Sequence, residues 1–497
     1  MFCKGRKQFL KKTAPIMAAL FVLLSTTVCA ENGNSYVYDE NGKSVAEPLS
    51  YVSNGTITGE GLGIGDFNSP KDVFVFDNKL VYIVDTGNNR IVEIDADYKL
   101  KRVISAFNNN GTEDTFSSPN CVFRTDETIY IADTGNKRVV LLDDSLNAVA
   151  VYGKPESKLI TEDFDYEPTD IVADSAGRMF IVPKSVNDGI IELTDSGEFV
   201  GFIGAVKANL TLFEKIWRAI ASESQREKMQ LALPTEHSSV DIDESGFVYT
   251  TVSAVNEENY SAETFISRLN PMGKDILKRN GFNAPMGDVE LEYKGGEKLY
   301  SMLVDIAVRE SGVYSVLDQR KGRIFTYDSN GELMYVFGAL GDAKGQFGMP
   351  EALDTLNRDT FLVADSEYNW IALFEPTEYG LIINDAVDSF YNRDYDKADS
   401  LWKEAIKYTS QSSLAFDGLG RSYIKQGKYK ESMDYLKNAD DRENYSKAFE
   451  SYRSEVLRDK FSIIIISVAV ISAGIVAARL IIRRRRKAGR EHGKNNN

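Results

Sequence analysis

Phe67-Asn68-Ser69-Pro70 leads, after one turn, to Val81-Tyr82-Ile83-Val84-Asp85-Thr86-Gly87-Asn88-Asn89-Arg90-Ile91. The same sentence recurs as Phe116-Ser117-Ser118-Pro119, then Ile129-Tyr130-Ile131-Ala132-Asp133-Thr134-Gly135-Asn136-Lys137-Arg138-Val139. Pro70 and Pro119 are 49 residues apart, and Pro168 lies 49 further on. Within one unit a strand follows the proline, and a second strand is rich in Val, Ile and Tyr. Asp-Thr-Gly-Asn reads as a tight loop, with Gly and Asn tolerating positive φ and Asp bonding backbone amides. A third strand opens at Arg90 or Arg138, and a fourth alternates, as in Leu100-Lys101-Arg102-Val103-Ile104.

Four antiparallel strands per 45–50 residues make a propeller blade. Weaker copies follow: Pro168 to Leu193, Val240 to Leu269, Val304 to Tyr327, and Phe347 to Phe374. The loops resemble those of the NHL repeat family, whose fold is a six-bladed propeller. The resemblance covers roughly residues 55–375 and is strongest in copies 1, 2, 5 and 6. In copies 3 and 4, Pro183 and Thr251 stand where the loop Asp belongs. Copy 6 ends at Glu375-Pro376 without a fourth strand. The segment Val45 to Val52 is expected to supply it and close the ring, with Tyr36-Val37-Tyr38 extending the same sheet.

Outward from the repeats, the ends read as targeting and anchoring segments. Lys4, Arg6, Lys7, Lys11 and Lys12 precede an apolar run, Ala14 to Leu24, and a small-residue site ending Val28-Cys29-Ala30. This is a secretory signal, residues 1–30. Thr26-Thr27-Val28 before Cys29 does not fit a lipoprotein site. Phe461 to Ile482 is 22 residues with one charge, Arg479. At about 1.5 Å per residue it spans a hydrocarbon core of about 30 Å. Arg483-Arg484-Arg485-Arg486-Lys487 follows directly, which puts the C-terminus in the cytoplasm and residues 31–460 outside. The expected layout is signal 1–30, propeller 31–376 with a helical insert 207–232, helical module 377–458, transmembrane helix 459–482 and basic tail 483–497.

Residues 1–30 hold five of the 58 Lys and Arg, and residues 479–497 hold eight, with one of the 74 acids. The part between carries 45 basic and 73 acidic residues, a net of −28. Such a surface excludes nucleic acid as a partner and repels anionic headgroups. Cys121 alone remains after residue 30, so packing rather than disulfides must hold the external part.

Residues 377–460 switch to helical periodicity. Ala398, Trp402 and Ala405 match Ser432, Leu436 and Ala439 at a period of 34. The pattern resembles about two tetratricopeptide repeats, whose family role is protein binding. Packing of so short an array on the propeller is expected.

One propeller face should hold Asp72, Asp170 and Asp305 at the starts of the innermost strands, with Cys121, Ser239 and Ala352 at the matching positions. Arg90, Arg138 and Arg323 fall on the same face. The three carboxylates are candidates for a cation such as Ca²⁺ or a polar ligand. Against that stands capping, each Asp bonding amides at its own strand start. For the arginines the structural alternative is a salt bridge between adjacent blades. In the insert, Leu212, Phe213, Ile216, Trp217 and Ile220 recur at helical spacing. Trp217 either packs that helix on the rim or stacks on a ligand.

Among six-bladed relatives, gluconolactonase-like enzymes hold a divalent metal with Glu, Asn and Asp, and amidating lyases use a His-rich zinc site. Only His237 and His492 are present, which excludes a multi-His site, and no Gly-x-Ser-x-Gly elbow accompanies His237. The sequence therefore reads as a non-catalytic binding or scaffolding protein of the cell surface that needs no cofactor. Its layout resembles bacterial surface proteins accompanying ABC-type sugar transporters, which implies a transporter partner and a carbohydrate ligand. A metal-dependent gluconolactonase-like hydrolase is the alternative.

Overall fold

In the computed structural model, residues 35–492 are described apart from 40, 185, 187–188, 205–235, 253–264, 282, 289–291, 295–296, 300 and 410–411. The signal segment, the helical insert and Trp217 lie outside the described residues. Six sheets carry the repeat. Blade 1 is Pro70–Phe76, Leu80–Asp85, Arg90–Asp95 and Leu100–Ile104. Blade 2 is Cys121–Arg124, Ile129–Asp133, Arg138–Leu142 and Ala148–Tyr152. Blade 3 is Pro168–Ala173, Met179–Pro183, Ile190–Leu193 and Phe199–Ile203. Blade 4 shows His237–Ile242, Val248–Val252 and Ile266–Leu269. Blade 5 is Leu303–Val308, Tyr314–Asp318, Arg323–Tyr327 and Leu333–Phe337. Blade 6 is Pro350–Leu356, Thr360–Asp365, Trp370–Pro376 and, from the N-terminus, Tyr51–Ile57.

The innermost strand of each blade touches that of the next, and blade 6 touches blade 1. The six-bladed ring is therefore closed. Second strands are buried almost throughout because both faces of a blade are covered by its neighbours. The apolar core accordingly forms clusters between blades rather than one centre. One joins Val81 and Ile83 of blade 1 to Leu362 and Ala364 of blade 6. Another joins Val84 and Ile91 to Val122 and Val140 of blade 2.

Three expectations need correction. The closing strand is Tyr51–Ile57, not Val45 to Val52, and pairs with Trp370–Pro376 from Tyr51↔Pro376 to Ile57↔Ile371. Tyr51 fixes that register: its ring stacks on Phe337 at 4.7 Å and meets Phe361 edge-on at 5.0 Å. Tyr36–Tyr38 does not extend blade 6. It pairs with Ser44–Ala46 as a separate hairpin, pinned by Tyr36 and Tyr38 hydroxyls on the Asp288 carboxylate. Blade 4 shows no fourth strand among the described residues. Its outer edge is capped instead: Ile276 N–H donates to Arg268 O, and Arg279 to Ile266 O at 2.9 Å. An open strand edge is thereby denied to other chains.

The chain divides into two compact units, residues 1–388 and 389–497. Helix α1, Glu378–Tyr391, begins in the first. There Asn384 donates to Tyr51 Oη at 2.9 Å and to Asp359 Oδ1 at 2.8 Å, and Arg358 pairs with Asp385 and Asp388. The second unit holds α2 (Tyr395–Tyr408), α3 (Ser413–Lys425), α4 (Tyr429–Ala439) and α5 (Arg442–His492). Asp394 caps α2 through Lys397 N–H, and Ser412 caps α3 through Ala415 N–H. Helix α5 is 51 residues long and its side chains from Phe461 to Ile482 are all exposed. By length and composition α5 can cross a membrane.

Candidate functional site

Asp72, Cys121, Asp170, Ser239, Asp305 and Ala352 do meet. All six line one cavity of about 390 Å³ enclosed by the innermost strands. Side chains two residues further along a strand point the same way. Blades 4 and 6 thereby add Asp241 and Asp354, which the sequence reading missed. Period-two alternation from Ser239 and Ala352 was the signal that could have found them.

Each carboxylate reaches across to the next blade. Asp72 Oδ2 accepts from Val122 N at 2.8 Å, Asp170 Oδ2 from Val240 N at 2.8 Å, and Asp305 Oδ2 from Leu353 N at 2.7 Å. Asp241 Oδ2 accepts from Val308 N at 2.7 Å, and Asp354 Oδ2 from Val75 N at 2.6 Å. Among the described residues five of the six seams are closed this way. At the remaining seam Cys121 Sγ lies 2.9 Å from Asp170 Oδ1. So the capping expected within a strand is mostly bridging between strands, although Asp170 also takes its neighbour Ile171 N–H at 2.7 Å.

The charges at this site are poorly balanced. At the rim, Lys71 pairs with Glu351 at 2.5 Å and Lys184 with Glu167 at 3.5 Å. Among the described residues the lining holds five aspartates, two glutamates and a thiol, with Lys71 and Lys184 as its only Lys or Arg. Burial, and then the charge of Asp170, pushes Asp72 up to about 7. Burial pushes Asp354 up to about 7 as well. Asp241 and Asp305 are driven well above the carboxylate range by burial first and by neighbouring aspartates second. Burial also raises the Cys121 thiol, followed by the Asp170 charge. A thiol shifted upward is a poor nucleophile. Burial depresses His237, whose Nε2 faces Gly204 O and Nδ1 Thr250 Oγ1, both at 2.9 Å. Both ring nitrogens are thereby hydrogen-bonded. Among the described residues no three His, Cys, Asp or Glu side chains stand close enough to hold a metal ion.

Arg90, Arg138 and Arg323 do not line the cavity. Arg90 Nε bonds Asp85 Oδ2 at 2.6 Å in its own blade, and its Nη1 reaches Ile64 O at 2.8 Å. Arg138 repeats this with Asp133 at 2.7 Å and Asp114 at 2.8 Å. Arg323 instead pairs with Asp288 and Tyr36 Oη. The blade-to-blade bond in these loops comes from the threonines. Thr86 Oγ1 donates to Pro119 O at 2.7 Å and Thr134 Oγ1 to Pro168 O at 2.5 Å. Gln319 does the same to Pro350 O at 3.0 Å.

No family model matches the chain, and no curated protein matches it. Solved structures similar to it include a streptogramin B lyase, with a TM-score of 0.38 and 11% identity over 62% of this chain and 94% of that one. Virginiamycin B lyase from Staphylococcus aureus gives 0.38 and 12% over 63% and 96%. A protein of unknown function from Bacteroides thetaiotaomicron gives 0.41 and 11% over 69% and 76%. At these identities the likeness is one of fold.

Proposed function

We propose that this chain is a membrane-tethered binding and scaffolding protein. One observation carries the proposal: α5 continues from the helical unit into 22 residues, Phe461 to Ile482, whose apolar side chains are all exposed. In water that surface would be strongly disfavoured, and in a bilayer it is matched. The basic run after it assigns the C-terminus to the cytoplasm and the two folded units to the outside. The first unit is then an NHL-type propeller and the second a tetratricopeptide-like array, both folds that bind partners. The seam carboxylates and loop arginines serve the ring's integrity, which suits a scaffold. The layout resembles proteins that accompany ABC-type sugar transporters, so a transporter is the partner we assign, with a carbohydrate as the propeller's ligand. No specific observation favours the lactonase-like alternative.

The test is recovery of the full-length protein from its native membrane in mild detergent, with mass spectrometry of what accompanies it. Transporter subunits are expected, and they should be lost when residues 395–439 are deleted. Recovery of the protein alone would remove the accessory role. Impermeant amine labelling of intact cells should mark lysines before residue 460; labelling confined to Lys487 and Lys494 would reverse the orientation.

A further inference from the structure

Helix α5 does not stop where its apolar stretch stops. It runs without a break from Arg442 to His492. Arg479 and Arg483 to Arg486 are therefore carried on a rigid rod, and all five are exposed. Successive helical residues turn by about 100°, so Arg483 to Arg486 sweep about 300° around the axis. The charge forms a ring, not a face. Arg479 stands on the same side as Arg483 and Arg486 and about 6 Å deeper than Arg483, within reach of a snorkelling side chain.

Among the described side chains of the helix, no acid stands beside this ring. No Asp or Glu occurs between Lys460 and Arg490. The acid must come from outside the chain. A protein docked on one side would cover part of the ring, whereas lipids surround a single helix on every side. Guanidinium groups bind phosphate in a two-pronged, planar geometry that ammonium cannot reproduce.

We propose that Arg479 and Arg483 to Arg486 form a collar that gathers anionic phospholipids around the anchor through their phosphate headgroups. This rests on the membrane-spanning reading of α5. It assigns the tail a lipid partner, while the acidic external part takes none.

The test uses the full-length protein in phosphatidylcholine vesicles with trace spin-labelled phosphatidylglycerol or phosphatidylcholine. The motionally restricted fraction gives the relative association of each lipid. The wild type should favour phosphatidylglycerol about fivefold at low salt, and the preference should fall towards one in molar salt. Changing Arg483 to Arg486 together to Gln should bring it near one, and changing them to Lys should keep only part. A wild-type ratio of one, or a Gln variant that keeps the full preference, overturns the collar. If the Gln variant does not reconstitute, Arg485→Glu must lower the ratio measurably or the collar falls. An alkaline wash separates the two readings. Protein released by it does not span, whereas retained protein with a ratio of one spans but has no collar.

Discussion

Gly135 shows how little room the repeat loop leaves. Its N–H donates to Ser117 O at 2.9 Å, and a Cβ there would sit 2.6 Å from that same oxygen. Gly135→Ala must push the loop away from the bend at Ser117. That breaks the bond and strains Ser117 N–H to Asp133 Oδ1, 2.8 Å. The expected cost is about 1–3 kcal/mol in chemical unfolding. Gly111→Ala is the control: φ is +88° but the space is open, so about 1 kcal/mol is expected. Equal costs would refute the close-approach account. The sequence showed that a Gly was needed but suggested the wrong reason. Positive φ falls on Asn89 and Lys137, one residue past the motif's Asn, while Gly87 and Gly135 serve contact. Nor could the sequence show what Asp72 bonds, because its partner Val122 is 50 residues away.

At the scale of elements, strands and helices were legible because their periods differ and their turns repeat. Asp95, Asp174, Asp243 and Asp328 each take two amides of their own turn, a local rule that local sequence reveals. The period-34 positions of the helical unit, Ala398, Trp402 and Ala405 with Ser432, Leu436 and Ala439, are all buried. Small residues let these helices approach: a Cβ on Gly418 would meet the Trp402 ring at 2.4 Å, and one on Gly420 would meet Leu436 at 2.5 Å. The closing strand was legible as a need but misplaced by a few residues, since its register depends on tertiary contacts of Tyr51. Those contacts give an element-level prediction. Tyr51→Ala removes a buried ring packed on Tyr335, Phe337 and Phe361, and leaves Asn384 without its phenol acceptor. A loss of about 3–5 kcal/mol is expected, with faster modification of buried Cys121 by a thiol reagent as the ring opens. Unchanged Cys121 reactivity would mean that the N-terminal strand does not hold the ring shut.

At the scale of the whole molecule, the ring is joined by carboxylates that, among the described residues, bond backbone amides, a thiol and a hydroxyl rather than a Lys or Arg. Asp72 and Asp354 are raised to about 7 in the folded chain, against about 4 when unfolded. Between those values the folded state holds more protons than the unfolded one, so stability must fall as pH rises from 4 to 7 and level off above. With the open channel screening part of the effect, each group contributes about 1–2 kcal/mol. His237 works the other way. Its depressed folded value makes stability rise with pH through the ordinary imidazole range. A single pH curve therefore mixes both signs, and a variant must separate them. Asp72→Asn keeps a carbonyl for Val122 N–H and replaces the ionisable oxygen with an amide. Relative to wild type it should be more stable at pH 8 than at pH 5, in full-length protein unfolded in mild detergent. Parallel curves would show that Asp72 is ionised at both pH values and that the seam tolerates its charge. A difference of the opposite sign would mean that the carboxylate's charge strengthens its bond to Val122 more than burial penalises it.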